Sequence, residues 1–190
     1  MPKQTRSRAL VDAVLDATEE LAFASGIGSV TVPSIARRSG VAQGSIFDYF
    51  PTKEAIVAAW AERTWRRALE AAVAAVPLER EGVVARVIAA LNGVLWPYAR
   101  ATVGLHFGDV LGRREVRTEI FGAVATLVES ALDQHAALVP KPPANRNSAG
   151  RLVASVLASD LYLEWLAAND DLDVANHEVT TLVRRYLVGS

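Results

Sequence analysis

Between Thr31 and Pro51 the chain has room for two very short helices joined by a glycine, and this segment constrains the fold more than any bulk property does. Thr31 fits an N-cap, Pro33 suits a first helical turn, and Val32, Ile35 and Ala36 supply a short buried face before Gly40 breaks it. The stretch from Gln43 to Phe50 is too brief to stand alone, so it must lean on neighbours through Ile46 and Phe50, one turn apart, until Pro51 stops it. Ile35-Ala36, Gly40-Val41 and Ile46 have the spacing of a helix-turn-helix: a small residue where two helices touch, a glycine for a left-handed turn, and aliphatics that lock the second helix. Spacing alone is met equally well by an ordinary tight corner between helices.

The flanking sequence is helical in pattern. Leu10, Val11, Val14, Leu15, Leu21 and Ala22 share one face of a first helix, with Asp12, Asp16, Glu19 and Glu20 on the other and Gly26 at its end. Lys3, Arg6 and Arg8 precede it as a basic arm. Thr52 can cap a long helix from Lys53 to about Val76, on which Trp65, Leu69, Val73 and Val76 recur at helical spacing before Pro77. Further helices are predicted near 79–100, 104–112, 114–139, 148–168 and 174–188, with a turn cluster from Pro140 to Ser148 and Pro97 kinking or ending its helix. No strand-like alternation is long enough to pair and no repeat is visible, so the fold class is all-α.

Composition removes several function classes. With 51% hydrophobic and 22% charged residues, the 190-residue chain can build one compact domain or a small one fused to a medium one. A net charge of -1 gives no global positive field, so any basic surface is local. The absence of cysteine excludes disulfides, thiol nucleophiles and thiolate metal sites. Asp12 and Asp16 interrupt any signal core, and no uncharged stretch reaches the ~18 apolar residues of a membrane span. A cytoplasmic protein without membrane contact is expected. His177-Glu178 lacks the second histidine of a zinc-protease motif, Gly26-Ile27-Gly28 lacks a preceding strand, and no nucleophile has a base at hand. Neither enzymatic activity, nor a cofactor, nor a metal is expected.

The run Thr31-Val32-Pro33-Ser34-Ile35-Ala36-Arg37-Arg38-Ser39-Gly40-Val41-Ala42-Gln43-Gly44-Ser45-Ile46-Phe47-Asp48-Tyr49-Phe50-Pro51-Thr52-Lys53-Glu54 resembles the amino-terminal domain of the tetracycline-repressor (TetR) family of transcriptional regulators. Two positions depart from that family's pattern. Phe47 stands where a tyrosine is usual, so a phosphate-binding hydroxyl is missing and the side chain is expected only to pack, and Ala42 replaces a capping serine. The resemblance implies that the helix from Gln43 to Tyr49 enters the major groove of double-stranded DNA, with Gln43, Ser45 and Asp48 toward base edges and Gly44 permitting close approach. It makes Tyr49 and Lys53 phosphate anchors. Thr31 and Arg37, at the two ends of the second helix, complete the expected DNA-binding set, although helix capping accounts for Arg37 and Arg38 equally well. Up to Lys53 there are six basic and five acidic side chains, four of the acids lying in the first helix, so the basic groups flank the motif.

The remaining chain matches that family only in helix count and in Trp165 followed by Asp170, Asp171 and Leu172 before a last helix. Segment 148–168 is apolar nearly all round and needs covering on two sides, which points to a homodimer formed through residues 148–188. Trp60, Trp96, Tyr98, His106, Phe107, Phe121 and Trp165 are the candidates to line a pocket for a mostly apolar small molecule. The expected organisation is a helix-turn-helix domain over residues 1–52 and a helical ligand-binding and dimerisation domain over 53–190. The expected function is a sequence-specific DNA-binding transcriptional regulator, a repressor released from an inverted-repeat operator by its ligand. An all-helical dimeric small-molecule-binding protein without DNA function is the competing class.

Overall fold

The computed structural model describes residues 2–75, 83–103, 118, 121–126, 129 and 146–188, and every regular element among them is a helix. In chain order these are α1 (Pro2–Ser25), a single 3₁₀ turn (Ile27–Ser29), α2 (Val32–Ser39), α3 (Gln43–Phe47), α4 (Lys53–Ala74), α5 (Val83–Ala101), a helical piece at 121–126, α6 (Arg146–Leu157), α7 (Asp160–Ala168) and α8 (Leu172–Val188). None of the described helices is long and apolar enough to cross a membrane. The chain divides into two compact units, one of Met1–Arg63 with Arg100–Gly112, the other of Thr64–Ala99 with Arg113–Ser190. The division falls inside α4, so the first turns of that helix belong with the amino-terminal unit.

In the amino-terminal unit α1 packs against the 3₁₀ turn and α2, and α2 against α3. Val14, Leu15, Ala17, Ala22, Ile27, Val30, Ile35, Ile46, Phe50, Ile56, Trp60 and Ala61 are buried there. Thr18 is buried among them and returns its hydroxyl to the Val14 carbonyl, 2.8 Å away, which removes the cost of an unpaired polar group. The predicted start signal of α2 is present in full: the Thr31 hydroxyl accepts from the Ser34 N–H at 3.2 Å and Ser34 Oγ accepts from the Thr31 N–H at 3.0 Å. Gly40 ends α2 with φ 72° and its N–H on the Ala36 carbonyl. Thr52 caps α4 by accepting from the Ala55 N–H at 3.2 Å.

Several expectations are corrected. Helix α1 begins at Pro2, so Lys3, Arg6 and Arg8 occupy its first turns and do not form an extended arm. Pro97 does not end its helix, since α5 runs on to Ala101, and α6 starts at Arg146, inside the expected turn cluster. Segment 148–168 is two helices, because Ser159 leaves the helical conformation and caps α7 by accepting from the Tyr162 N–H at 3.1 Å. On α4 the buried stripe is Trp60, Thr64, Trp65, Ala68 and Ala72, and Val73 is exposed. The small alanines allow close approach along that stripe. The predicted helix 104–112 and most of 114–139 lie outside the described residues.

Gly40 is the position where backbone conformation decides residue type. A Cβ there meets no atom within 4 Å, so only the left-handed φ penalises a side chain. Gly40→Ala should lower the unfolding free energy by about 1 kcal/mol. Gly44→Ala, in helical backbone with equally open space, should not lower it; urea unfolding of both variants checks the contrast.

Candidate functional site

Helix α3 has five residues and no side-chain cap at Ala42, so nothing local holds it. Ile46, fully buried, and Phe50, nearly so, fix it to the rest of the unit. Its other side is open: Gln43, Gly44, Phe47, Asp48 and Tyr49 are exposed and Ser45 is half-buried. The expectation that Phe47 only packs is therefore corrected, since 48% of it is exposed. An exposed edge carrying an amide, a hydroxyl, a carboxylate and two aromatic rings can meet hydrogen-bonding and apolar groups together.

The residues flanking α3 are ordered by bonds to other elements of the same unit. Tyr49 is 44% exposed, and its hydroxyl donates to Ser7 Oγ of α1 at 2.9 Å. Lys53, in the first turn of α4, donates from Nζ to the Ile27 carbonyl at 3.2 Å and the Gly28 carbonyl at 3.4 Å, so its ammonium is held beside the 3₁₀ turn. Glu54 follows it, its carboxyl held below the usual value by hydrogen bonds from the backbone N–H of Glu54 and from Thr52. Thr31 spends its hydroxyl on the capping box. Of the two arginines ending α2, Arg37 is exposed and Arg38 pairs with Glu20 of α1. All eight sequence-predicted DNA-facing residues lie in the amino-terminal unit, on or at the ends of α2, α3 and α4.

A carboxylate on α1 joins the start of α4 to the same unit. Glu19 Oε2 accepts from the Trp60 indole N–H at 3.1 Å and lies 3.8 Å from Arg63 Nη2, while Arg63 Nη1 reaches Asp16 Oδ1 at 2.7 Å. Phe23 sits edge-on to Trp60, ring centroids 6.2 Å apart. Glu19, assigned to the outward face of the first helix by periodicity, is thus mostly buried. The available signal was the i, i+3 pairing of Trp60 with Arg63 opposite Asp16 and Glu19. Trp60, one of the expected pocket aromatics, is fully buried in the amino-terminal unit.

The second unit holds the other described pocket candidates. Tyr98 is fully buried, while Trp96, Phe121 and Trp165 are half-buried. Trp96 donates its indole N–H to the Asn169 carbonyl at 3.1 Å, and Trp165 stacks on Tyr162 with centroids 5.8 Å apart. Phe121 packs against Val124, Ala125 and Ala154, with the Arg151 guanidinium 5.9 Å from its ring centre. His106 and Phe107 lie outside the described residues. A polar chain unmarked by any sequence motif runs beside these rings: the Tyr162 hydroxyl donates to Asn92 Oδ1 at 2.6 Å, and Asn92 Nδ2 donates to Asn176 Oδ1 at 2.8 Å. It ties α5, α7 and α8 together.

Burial pushes the Tyr162 hydroxyl far above the usual tyrosine value, against the smaller opposing effect of its bond to Asn92. The folded state therefore favours the protonated phenol. That stabilisation is complete below the unfolded value of about 10 and is lost as pH rises past it. Tyr162→Phe strands the buried Asn92 oxygen and should cost about 1–3 kcal/mol at neutral pH, measured by urea unfolding. The same variant should lose less stability than the parent protein as pH is raised above about 10.

Residues 14–60, which span α1 to the first turns of α4, match the family described as "Bacterial regulatory proteins, tetR family". Solved structures share the fold along nearly the whole chain. NalD of Pseudomonas aeruginosa, the secondary repressor of the MexAB-OprM multidrug efflux pump, aligns with TM-score 0.60 at 16% identity, covering 97% of this chain and 98% of its own. A TetR transcriptional regulator from Rhodococcus sp. RHA1 aligns with TM-score 0.60 at 19% identity over 96% and 98%. AlkX of Dietzia sp., a TetR family repressor implicated in biodegradation of n-alkanes, aligns with TM-score 0.57 at 20% identity over 92% and 95%. A search among curated proteins finds no match.

Proposed function

Because its amino-terminal domain makes this chain a member of the tetR family of bacterial regulatory proteins, we propose that it is a transcriptional repressor that binds an inverted-repeat operator as a homodimer. The observation that carries the reading is the edge of α3, exposed and polar on one side and fixed by Ile46 on the other. Gln43 can pair adenine through two hydrogen bonds, Ser45 suits several base edges, and Asp48 can accept from cytosine N4 while phosphates repel it. Gly44 lets the backbone come close. Thr31, Arg37, Tyr49 and Lys53 of the same unit are the proposed contacts to the DNA backbone, the last two by giving up the Ser7 hydroxyl and the Ile27 and Gly28 carbonyls for phosphate oxygens.

The two-fold partner is a second copy of the chain. Leu152 and Val156 on α6, Leu161 on α7, and Val174, Leu182 and Tyr186 on α8 are exposed apolar side chains on the helices that the sequence nominates for dimerisation. Leu161 is 77% exposed, whereas Leu163 is buried within its own chain. A closed two-fold assembly of these faces would present two copies of α3 to one duplex. The effector is a mostly apolar small molecule, with Trp96, Tyr98, Phe121 and Trp165 of the second unit as its aromatic contacts.

Two measurements test this reading. Lys53→Ala and Tyr49→Phe should weaken binding to all duplexes alike, Lys53→Ala lowering the salt slope by about one, whereas changes at Gln43, Ser45 or Asp48 should alter sequence preference. Unchanged affinity and preference in all five variants would remove the interface. Val156→Glu and Leu161→Glu should convert the dimer to monomer in sedimentation at micromolar concentration, because an unpaired charge in an apolar seam is costly. A monomeric parent protein would contradict the dimer.

A further inference from the structure

We propose that Phe47 is a specificity-determining residue that reads the 5-methyl group of a thymine in the major groove. The inference rests on the DNA-binding role of α3. Phe47 is a large apolar side chain, 48% exposed, on a helix already anchored by Ile46 within it and by Phe50 three residues beyond its end. About half of the ring stays accessible, so packing alone does not account for the residue. Its ring has no hydrogen-bonding group to offer a phosphate or a polar base atom. The methyl of thymine is the apolar feature that a base pair presents in the major groove, and a phenylalanine ring matches it by shape and hydrophobicity.

Register supports the assignment. Gln43 and Phe47 are four residues apart in one helix and both exposed, so they share a face and are separated by about 6 Å along the axis. Stacked base pairs are about 3.4 Å apart. The ring therefore meets a base pair one or two steps from the one that Gln43 reads. Asp48, next along the chain, repels phosphate at its own position, which leaves the backbone contacts to Tyr49 and Lys53 beyond it.

The test uses the full-length protein and a duplex taken from a random-sequence selection. Each thymine is replaced in turn by deoxyuridine, which removes the methyl alone, and affinity is read by fluorescence anisotropy for the parent protein, Phe47→Ala and Phe47→Leu. At one thymine per half-site the replacement should weaken the parent roughly fourfold, the effect of uncovering one methyl-sized apolar group. The same replacement should leave Phe47→Ala unchanged, and Phe47→Leu should keep part of the discrimination. Methyl loss that affects no position, or affects Phe47→Ala as much as the parent, overturns the assignment while leaving DNA binding intact. A Phe47→Ala protein that changes its sedimentation but not its methyl dependence assigns the ring to a protein contact and also overturns it. Selection that retains no duplex at all removes both this assignment and the DNA-binding role beneath it.

Discussion

The burial of Ile46 and Phe50 is the interaction on which the rest of the amino-terminal unit depends functionally. A five-residue helix without a capping side chain has no intrinsic stability, and Ala42 supplies no cap. Its orientation is therefore set by buried Ile46, by Phe50 and the Tyr49 bond to Ser7 just beyond its end, and by the left-handed Gly40 that brings the chain back from α2. Because α3 spends its apolar side on that anchorage, its other side is free to present Gln43, Ser45 and Asp48. Rigid support beneath a short reading edge is what allows base contacts to be selective.

That support extends to α1 and α4 through bonds that are mostly charge-assisted. Glu19 receives the Trp60 indole and faces Arg63, Lys53 holds two carbonyls of the 3₁₀ turn, and Tyr49 reaches Ser7. Trp60 and Glu19 are largely removed from water, where such bonds are worth more than on the surface. The exposed pair of Arg38 with Glu20 adds little by comparison. The first turns of α4 are thus bonded to the same unit as α3. In the second unit the Tyr162, Asn92 and Asn176 chain joins helices through neutral bonds, and one buried asparagine is satisfied only when α7 and α8 are both in place.

Much of the architecture was legible from local chemistry. Thr31, Pro33, Gly40, Pro51 and Thr52 act within a few residues of where they stand, so the limits of α2 to α4 follow from the sequence pattern. The break at Ser159 was not legible, because Leu157, Leu161 and Leu163 sustain an apolar run across a residue whose hydroxyl could equally sit on a helix surface. Bonds between residues 41 and 70 positions apart, Glu19 to Trp60 and Asn92 to Tyr162, leave no local periodic trace. Phe47 escapes the sequence pattern for the converse reason: apolar character predicts burial on average, whereas this ring, next to the buried Ile46, is half exposed. The positions of the proposed DNA contacts came from resemblance, and the structure adds which of their polar groups are already engaged within the protein.

Selection of bound fragments from a pool of random duplexes, followed by sequencing and footprinting, tests the central claim most directly. Two copies of α3 related by a two-fold axis require enrichment of an inverted repeat, its half-sites about one helical turn apart or a multiple of that, with protection centred on the repeat. Enrichment of a non-repeated sequence, or retention of no sequence over the pool at moderate salt, would contradict it.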